Sequence, residues 1–203
     1  MTWCTCVCAV PTFFTKYITG TYGIDSLAPC NSTEDSLWFA GAELALIIGR
    51  TSRRLEADEA MDFVAAVAIG QDFAQRDWDT NESRWLYGKA YDAPLGLGPV
   101  MLRREDLKDI NNLQIETWVN GVLVQVGNTR DMEFNCGQIL EYVSRFMTLF
   151  PGDVILTGRP PPLDGFPAHG VPVQVGDKVT CRISEIGTFS CTLSEANSES
   201  EIA

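Results

Sequence analysis

A mixed α+β fold, rich in strand, is what this sequence predicts, on three observations. Its apolar segments are mostly short runs bounded by glycine, proline or asparagine, as strands are. One longer segment, Asn135 to Leu149, repeats its apolar residues at helical spacing. Strands and helix do not alternate regularly, which disfavours a doubly wound parallel sheet. A chain of 203 residues can bury one hydrophobic core, and one domain is the default at that length.

The elements follow in order. Leu44 to Ile48 is a near-continuous apolar run closed by Gly49, the pattern of a strand covered on both faces. Leu55, Met61, Phe63 and Val64 lie in and around the acidic stretch Glu56 to Asp62, which predicts a short helix with its charges outward. Ala65 to Ile69 returns as a small-residue strand into Gly70. From Asp72 to Pro94 the chain is polar, aromatic and broken by glycine, so a structured loop is expected, of the kind that carries chemistry on a rigid scaffold. Gln114 to Val119 and Val122 to Val126 flank Asn120-Gly121, the dipeptide that best suits a tight hairpin turn. Ile139, Leu140, Val143, Phe146 and Met147 define the apolar side of the helix, which must stop before Pro151-Gly152. Strands at Val154 to Thr157, Lys178 to Ile183 and Phe189 to Leu193 complete the set, the first two separated by a proline-rich loop from Pro160 to Pro172. Residues 1–10 read as an N-terminal extension or remnant, 11–194 as a single domain and 195–203 as a flexible tail.

Charge narrows the function. Fifteen Lys and Arg against 27 Asp and Glu give a formal charge of -12, which repels nucleic acid and anionic membrane alike. No apolar run approaches the length of a membrane span, and the first ten residues lack the basic start of a signal peptide, so a cytoplasmic protein is expected. The seven cysteines are an odd number and favour reduced thiols. Cys4, Cys6 and Cys8 alternate as one face of a strand does, whereas structural zinc ligands are spaced more widely.

Several ordered segments resemble the fumarylacetoacetate hydrolase family from Pro11 to Leu193. Phe13-Phe14-Thr15-Lys16 is similar to its opening strand, and Glu43-Leu44-Ala45-Leu46-Ile47-Ile48-Gly49-Arg50 to the second half of its Glu-x-Glu strand. Asp72-Phe73-Ala74-Gln75-Arg76-Asp77 resembles its Asp-x-x-x-Arg-Asp loop; Trp85 and Gly88-Lys89 resemble its lysine segment, and Leu95 to Val100 follows close behind. Gly127 to Met132, Pro151 to Gly158 and Gly176-Asp177 are similar to its later blocks. The resemblance implies a β-roll fold with a few short helices, usually a homodimer, and a Mg²⁺ or Mn²⁺ ion held by carboxylates and chelated by a 2-oxo acid or diketone. Such an ion prefers oxygen ligands and stabilises an enolate.

Carried over residue by residue, the resemblance implies Glu43 and Asp72 as metal ligands and Lys89 as the lysine that neutralises charge building on the substrate. Lys16, Thr157 and Gly158 fall in the substrate-binding set. The simpler readings are a charge at a strand entrance for Glu43, a loop cap for Asp72 and a solvated surface lysine for Lys89. Arg76 and Asp77 are read as a structural brace.

Three departures bear on function. Gly41 stands where the first Glu of Glu-x-Glu is expected, removing one of three carboxylates. Asp79 replaces a ligand-binding glutamine and Arg159 follows Gly158 where a threonine is usual; Arg159 suits a bidentate clamp on a carboxylate, and Asp79 a general base or substitute ligand. The His-Glu lid of hydrolytic members has no counterpart between Cys8 and Pro11, and the single histidine, His169, reads as a turn residue. Together these predict a metal-dependent decarboxylase, tautomerase or isomerase of a 2-oxo or 2-hydroxy-dienoic acid. The alternatives are a non-catalytic subunit paired with a homologous active partner, and a metal-independent cyclase or isomerase using Asp79 and Arg159.

Overall fold

The computed structural model describes residues 10–16, 21–30, 38–75, 95–168 and 170–195. Among them the strands are β1 (Thr21–Tyr22), β2 (Ser26–Cys30), β3 (Trp38–Ile48), β4 (Val64–Gln75), β5 (Leu95–Arg103), β6 (Gln114–Val119), β7 (Val122–Asn128), β8 (Val154–Leu156), β9 (Pro172–Val173), β10 (Lys178–Ile183) and β11 (Gly187–Glu195). One α-helix, α1 (Cys136–Phe146), lies between β7 and β8. The strand-rich α+β class is thus as expected.

Two mixed sheets carry the fold. The first runs β1-β5-β4-β3-β8, with β9 also pairing β3; the second runs β2-β11-β10-β6-β7. Leu44, Leu46, Ile48, Val67, Ile69 and Phe73 from the first sheet meet Ile115, Val179, Ile183, Phe189 and Leu193 from the second in one core. Gln71, fully buried in that core, joins the sheets: its Nε2 donates to the Val179 carbonyl at 3.2 Å and its Oε1 accepts from the Tyr22 hydroxyl at 2.9 Å.

The hairpin expected about Asn120-Gly121 is present, with Asn120 at φ 50° and Gly121 at φ 80°, the left-handed values such a turn needs. Helix α1 is shorter than its apolar pattern suggests. At its start Asn135 accepts from the Gln138 amide while the Gln138 side chain accepts from the Asn135 amide, both at 2.9 Å, a reciprocal cap. At its end Leu149 exchanges backbone hydrogen bonds with Ser52, which draws the chain into extended form. The acidic stretch before β4 forms a turn and a single 3-10 turn, Ala60–Phe63, instead of a helix. The Gly49 amide takes the Phe63 carbonyl at 2.8 Å and pulls that end into the β3–β4 hairpin.

Two differences matter for function. Strand β3 begins at Trp38, well before Leu44, and β4 continues to Gln75, so Asp72 lies inside a strand and not at the head of a loop. The added length of β3 supplies the backbone partners that extend β4. Strand β5 was expected only as a motif, because Gly96, Gly98 and Pro99 interrupt its pattern. Its Gly96 has a packing reason: a Cβ there would lie 2.6 Å from the Phe189 ring.

Cys30, Cys136, Cys181 and Cys191 are buried free thiols, as expected; Cys4, Cys6 and Cys8 lie outside the described residues. No helix among the described residues is long and apolar enough to cross a membrane.

Candidate active site

The site grows out of the β3–β4 hairpin. Gly41 pairs with Asp72 and Glu43 with Gly70. Residues directly opposite in an antiparallel ladder project to the same face, so Glu43 and Asp72 share one face as diagonal neighbours. Such neighbours lie about 7 Å apart, a gap that two acidic side chains can close around one cation. Both are buried, each 7% exposed. Toward the closed end of the hairpin this face is apolar: Ala45, Ile47 and Ala68, packed with Leu97, Val154 and Leu156.

A break in edge pairing opens the site. Strand β8 pairs with residues 45–47 of β3 and β9 with 38–39, so on that edge the stretch between them has no strand beside it among the described residues. Buried backbone groups need partners, and loops and side chains provide them. The Ala42 amide donates to Thr117 Oγ1 at 3.0 Å, the Thr157 amide donates to the Leu44 carbonyl at 3.0 Å, and Arg159 Nη1 donates to the Ala40 carbonyl at 3.3 Å. The Thr157-Gly158-Arg159 turn thereby lies along the carboxylate face. Gly158, at φ 88°, directs its amide to Glu43 Oε2 at 2.8 Å.

Asp72 is held from the other side. Lys16 Nζ donates to Asp72 Oδ1 at 2.5 Å and to the Phe73 carbonyl at 2.6 Å, with both side chains of the ion pair 7% exposed. A buried carboxylate is costly without such a partner. Lys16, Glu43, Asp72, Thr157, Gly158 and Arg159, all expected from sequence, therefore converge at one end of the hairpin. Asp79 and Lys89, and with them Arg76, Asp77, Trp85, Gly88 and His169, lie outside the described residues.

Two buried polar atoms here have no hydrogen-bond partner among the described residues, and one of them belongs to Gln125, which the sequence reading does not single out. Gln125, 1% exposed, donates from Nε2 to the Pro160 carbonyl at 3.0 Å, and its Oε1 makes no hydrogen bond among the described residues. Thr157 Oγ1 is likewise buried without a partner among them. Nothing in the sequence marks Gln125 beyond its being a polar residue within an apolar strand. Orphaned buried oxygens call for a ligand or water.

Among the described residues no group of three or more His, Cys, Asp and Glu side chains is placed to hold a metal. The pair Glu43 and Asp72 fits a hard divalent cation in reduced form, since Mg²⁺ is commonly held by one or two carboxylates with water completing its shell. Among the described residues Lys16 and Arg159 match these two carboxylates in number, which would temper affinity for a cation. Behind the site, burial, followed by the neighbouring Cys191, pushes the Tyr22 phenol well above its usual range, so Tyr22 stays a neutral donor to Gln71.

The profile described as "Fumarylacetoacetate (FAA) hydrolase C-terminal" matches residues 11–194. The human oxaloacetate tautomerase FAHD2A, mitochondrial, is 38% identical over 184 residues, covering 88% of this chain and 57% of the relative, so the chain spans little more than half the length of that protein. Among solved structures, a 5-carboxymethyl-2-hydroxymuconate delta-isomerase from Mycobacterium smegmatis superposes with a TM-score of 0.81 at 29% identity, covering 95% of this chain and 73% of that one. The maleylpyruvate hydrolase of Sphingobium sp. SYK-6, in complex with manganese (II) ion and pyruvate, gives a TM-score of 0.81 at 27% identity, covering 92% and 65%.

Proposed function

The chain belongs to the fumarylacetoacetate hydrolase family, and from that premise we propose that it is a metal-dependent tautomerase or isomerase of a 2-oxo acid, with decarboxylation of the same substrate class as its nearest chemical variant. The observation that carries this reading is the placing of Glu43 and Asp72 on one buried face beside the Thr157-Gly158-Arg159 turn. Glu43 and Asp72 would hold Mg²⁺ or Mn²⁺, which when bound supplies the Lewis acidity that stabilises an enolate. The manganese and pyruvate bound by the maleylpyruvate hydrolase support a cation and a 2-oxo acid as companions in this fold.

The chain's own residues do the positioning. The Gly158 amide fixes Glu43, and the ion pair with Lys16 orients the Asp72 carboxylate. Arg159 binds the carboxylate of the substrate, and the Thr157 hydroxyl bonds a second oxygen. On the sequence resemblance Lys89 neutralises charge building on the substrate, and Asp79, where the chain departs from the family, is assigned as the general base at the carbon next to the carbonyl. Tautomerisation moves one proton and needs no activated water. The name of the human relative supports oxaloacetate as the first substrate to try.

Purified protein mixed with enol oxaloacetate in the presence of Mn²⁺ is expected to speed loss of the enol absorbance, and a chelator to stop it. The Glu43→Gln variant should lose this activity by roughly 100-fold or more, beyond the 10- to 100-fold that outer-shell partners of a metal cost. Equal rates with and without Mn²⁺, or with Glu43→Gln, would contradict the assignment.

A second reading is favoured by Gly41. Without a third carboxylate the chain would serve as a non-catalytic partner of an active homologue. No turnover of oxaloacetate by the chain alone, together with raised activity of a co-expressed homologue, would establish it. We propose a homodimer as the default assembly, to be checked by light scattering.

A further inference from the structure

We infer that Gly41 and Arg159 are a matched pair that sets the charge of this face, which makes Arg159 the residue that selects a carboxylate-bearing ligand at the expense of tight cation binding. The inference rests on the reading that Glu43 and Asp72 hold the cation.

Position 41 is the natural third point of the acidic face. It lies directly opposite Asp72 and two residues from Glu43 on the same side of β3. Gly41 is not in the left-handed region, so its backbone does not demand glycine. Space does. A Cβ at 41 would sit 2.5 Å from Arg159 Cδ, 3.2 Å from Arg159 Cβ and 3.1 Å from Gln125 Oε1. The arginine stem thus fills the room a side chain at 41 would take. A second glycine opens the far side: a Cβ on Gly170 would lie 3.0 Å from Arg159 Nη1. Arg159 is therefore laid between two residues that lack side chains, with its guanidinium on the Ala40 carbonyl at 3.3 Å.

The consequence is electrostatic. The arginine stem takes the room where a third anion would complete the face and carries its positive charge just beyond, on the Ala40 carbonyl, so divalent affinity falls and affinity for an anionic ligand rises. Gln125 Oε1, without a partner among the described residues, borders the same room and can only accept, and the Thr157 hydroxyl belongs to the same turn as Arg159. A guanidinium for a carboxylate and an acceptor for a hydroxyl match the enol form of a 2-oxo dicarboxylate, which carries both groups.

A double-mutant cycle on the full chain tests this: Gly41→Glu, Arg159→Thr, and the two together, compared by melting temperature, Mn²⁺ affinity and binding of oxalate without metal. Gly41→Glu alone must displace Arg159 and is expected to lower the melting temperature by about 5 °C, whereas in the Arg159→Thr background the same change should cost less than about 2 °C. The double variant should bind Mn²⁺ roughly 10-fold more tightly than the parent, and Arg159→Thr should weaken oxalate roughly 10-fold. Should the longer side chain prevent folding, Gly41→Ala repeats the cycle with a single methyl group. Equal losses of melting temperature in both backgrounds would overturn the pairing, and oxalate binding indifferent to Arg159 would overturn its selecting role. A non-additive melting cycle with no Mn²⁺ bound, even by the double variant, would instead keep the pair and remove the cation reading beneath it.

Discussion

The two faces of the β3–β4 hairpin are built from alternate residues of the same two strands, yet they follow opposite rules. One face sets Leu44, Leu46, Ile48, Val67, Ile69 and Phe73 into the main core. The other combines Ala45, Ile47 and Ala68 with Gly41, Glu43, Gly70 and Asp72. On the first face burial of apolar area stabilises the fold. On the second, buried charge costs stability, and Lys16 and the Gly158 amide offset part of that cost. A strand of alternating side chains can thus keep its scaffold and its chemistry one residue apart.

Substitutions on the two faces should separate accordingly. The largest effect is expected from Asp72→Asn, which leaves the buried Lys16 ammonium without its counter-ion; it should cost about 3–5 kcal/mol in urea unfolding and lose Mn²⁺ as well. Glu43→Gln keeps an oxygen for the Gly158 amide, so it should lose Mn²⁺ at a stability cost of only about 1 kcal/mol. If the two acids prove equally costly to stability, the ion pair with Lys16 is not what holds Asp72.

On the core face, Leu46→Ala should cost about 2–5 kcal/mol, and the fraction that remains folded should bind Mn²⁺ as the parent does, which calorimetry below the melting range can read. Gln71→Leu takes from the Tyr22 hydroxyl its acceptor on Gln71 and should cost about 1–3 kcal/mol, again without changing metal affinity. A loss of Mn²⁺ in either variant would show that the faces are coupled.

The smallest effect is one of pH. Burial raises the Cys181 thiol far above its ordinary value and pushes Cys191 up to about 11. In the unfolded chain both lose a proton near the ordinary value of 9.0. The folded form then binds more protons, so the stability these thiols contribute is whole below pH 9 and is lost as the pH rises toward 11. The melting temperature should therefore decline across that window, and Cys191→Ala should flatten part of the decline.

How much of this could be read in the sequence follows the same division. The apolar run Leu44 to Ile48, the alternating strand Lys178 to Ile183, the Asn120-Gly121 turn and the amphipathic helix were legible, because burial and turn geometry write themselves into local pattern. The full extent of β3 and β4 was not. Gly41, Glu43, Gly70 and Asp72 interrupt the apolar pattern where the site is built, so the strands looked shorter than they are. Ordered motifs gave the carboxylates, the turn at Gly158 and Lys16. No local signal could give the passage of Arg159 over Gly41 or the inward Oε1 of Gln125, because both depend on contacts between segments distant in sequence.

Anomalous diffraction from a crystal soaked in Mn²⁺ bears most directly on whether Glu43 and Asp72 share one ion. A single manganese peak between the two carboxylates, beside the Gly158 amide, is the predicted result. A peak at some other place, or none with Mn²⁺ at millimolar concentration, would contradict the account.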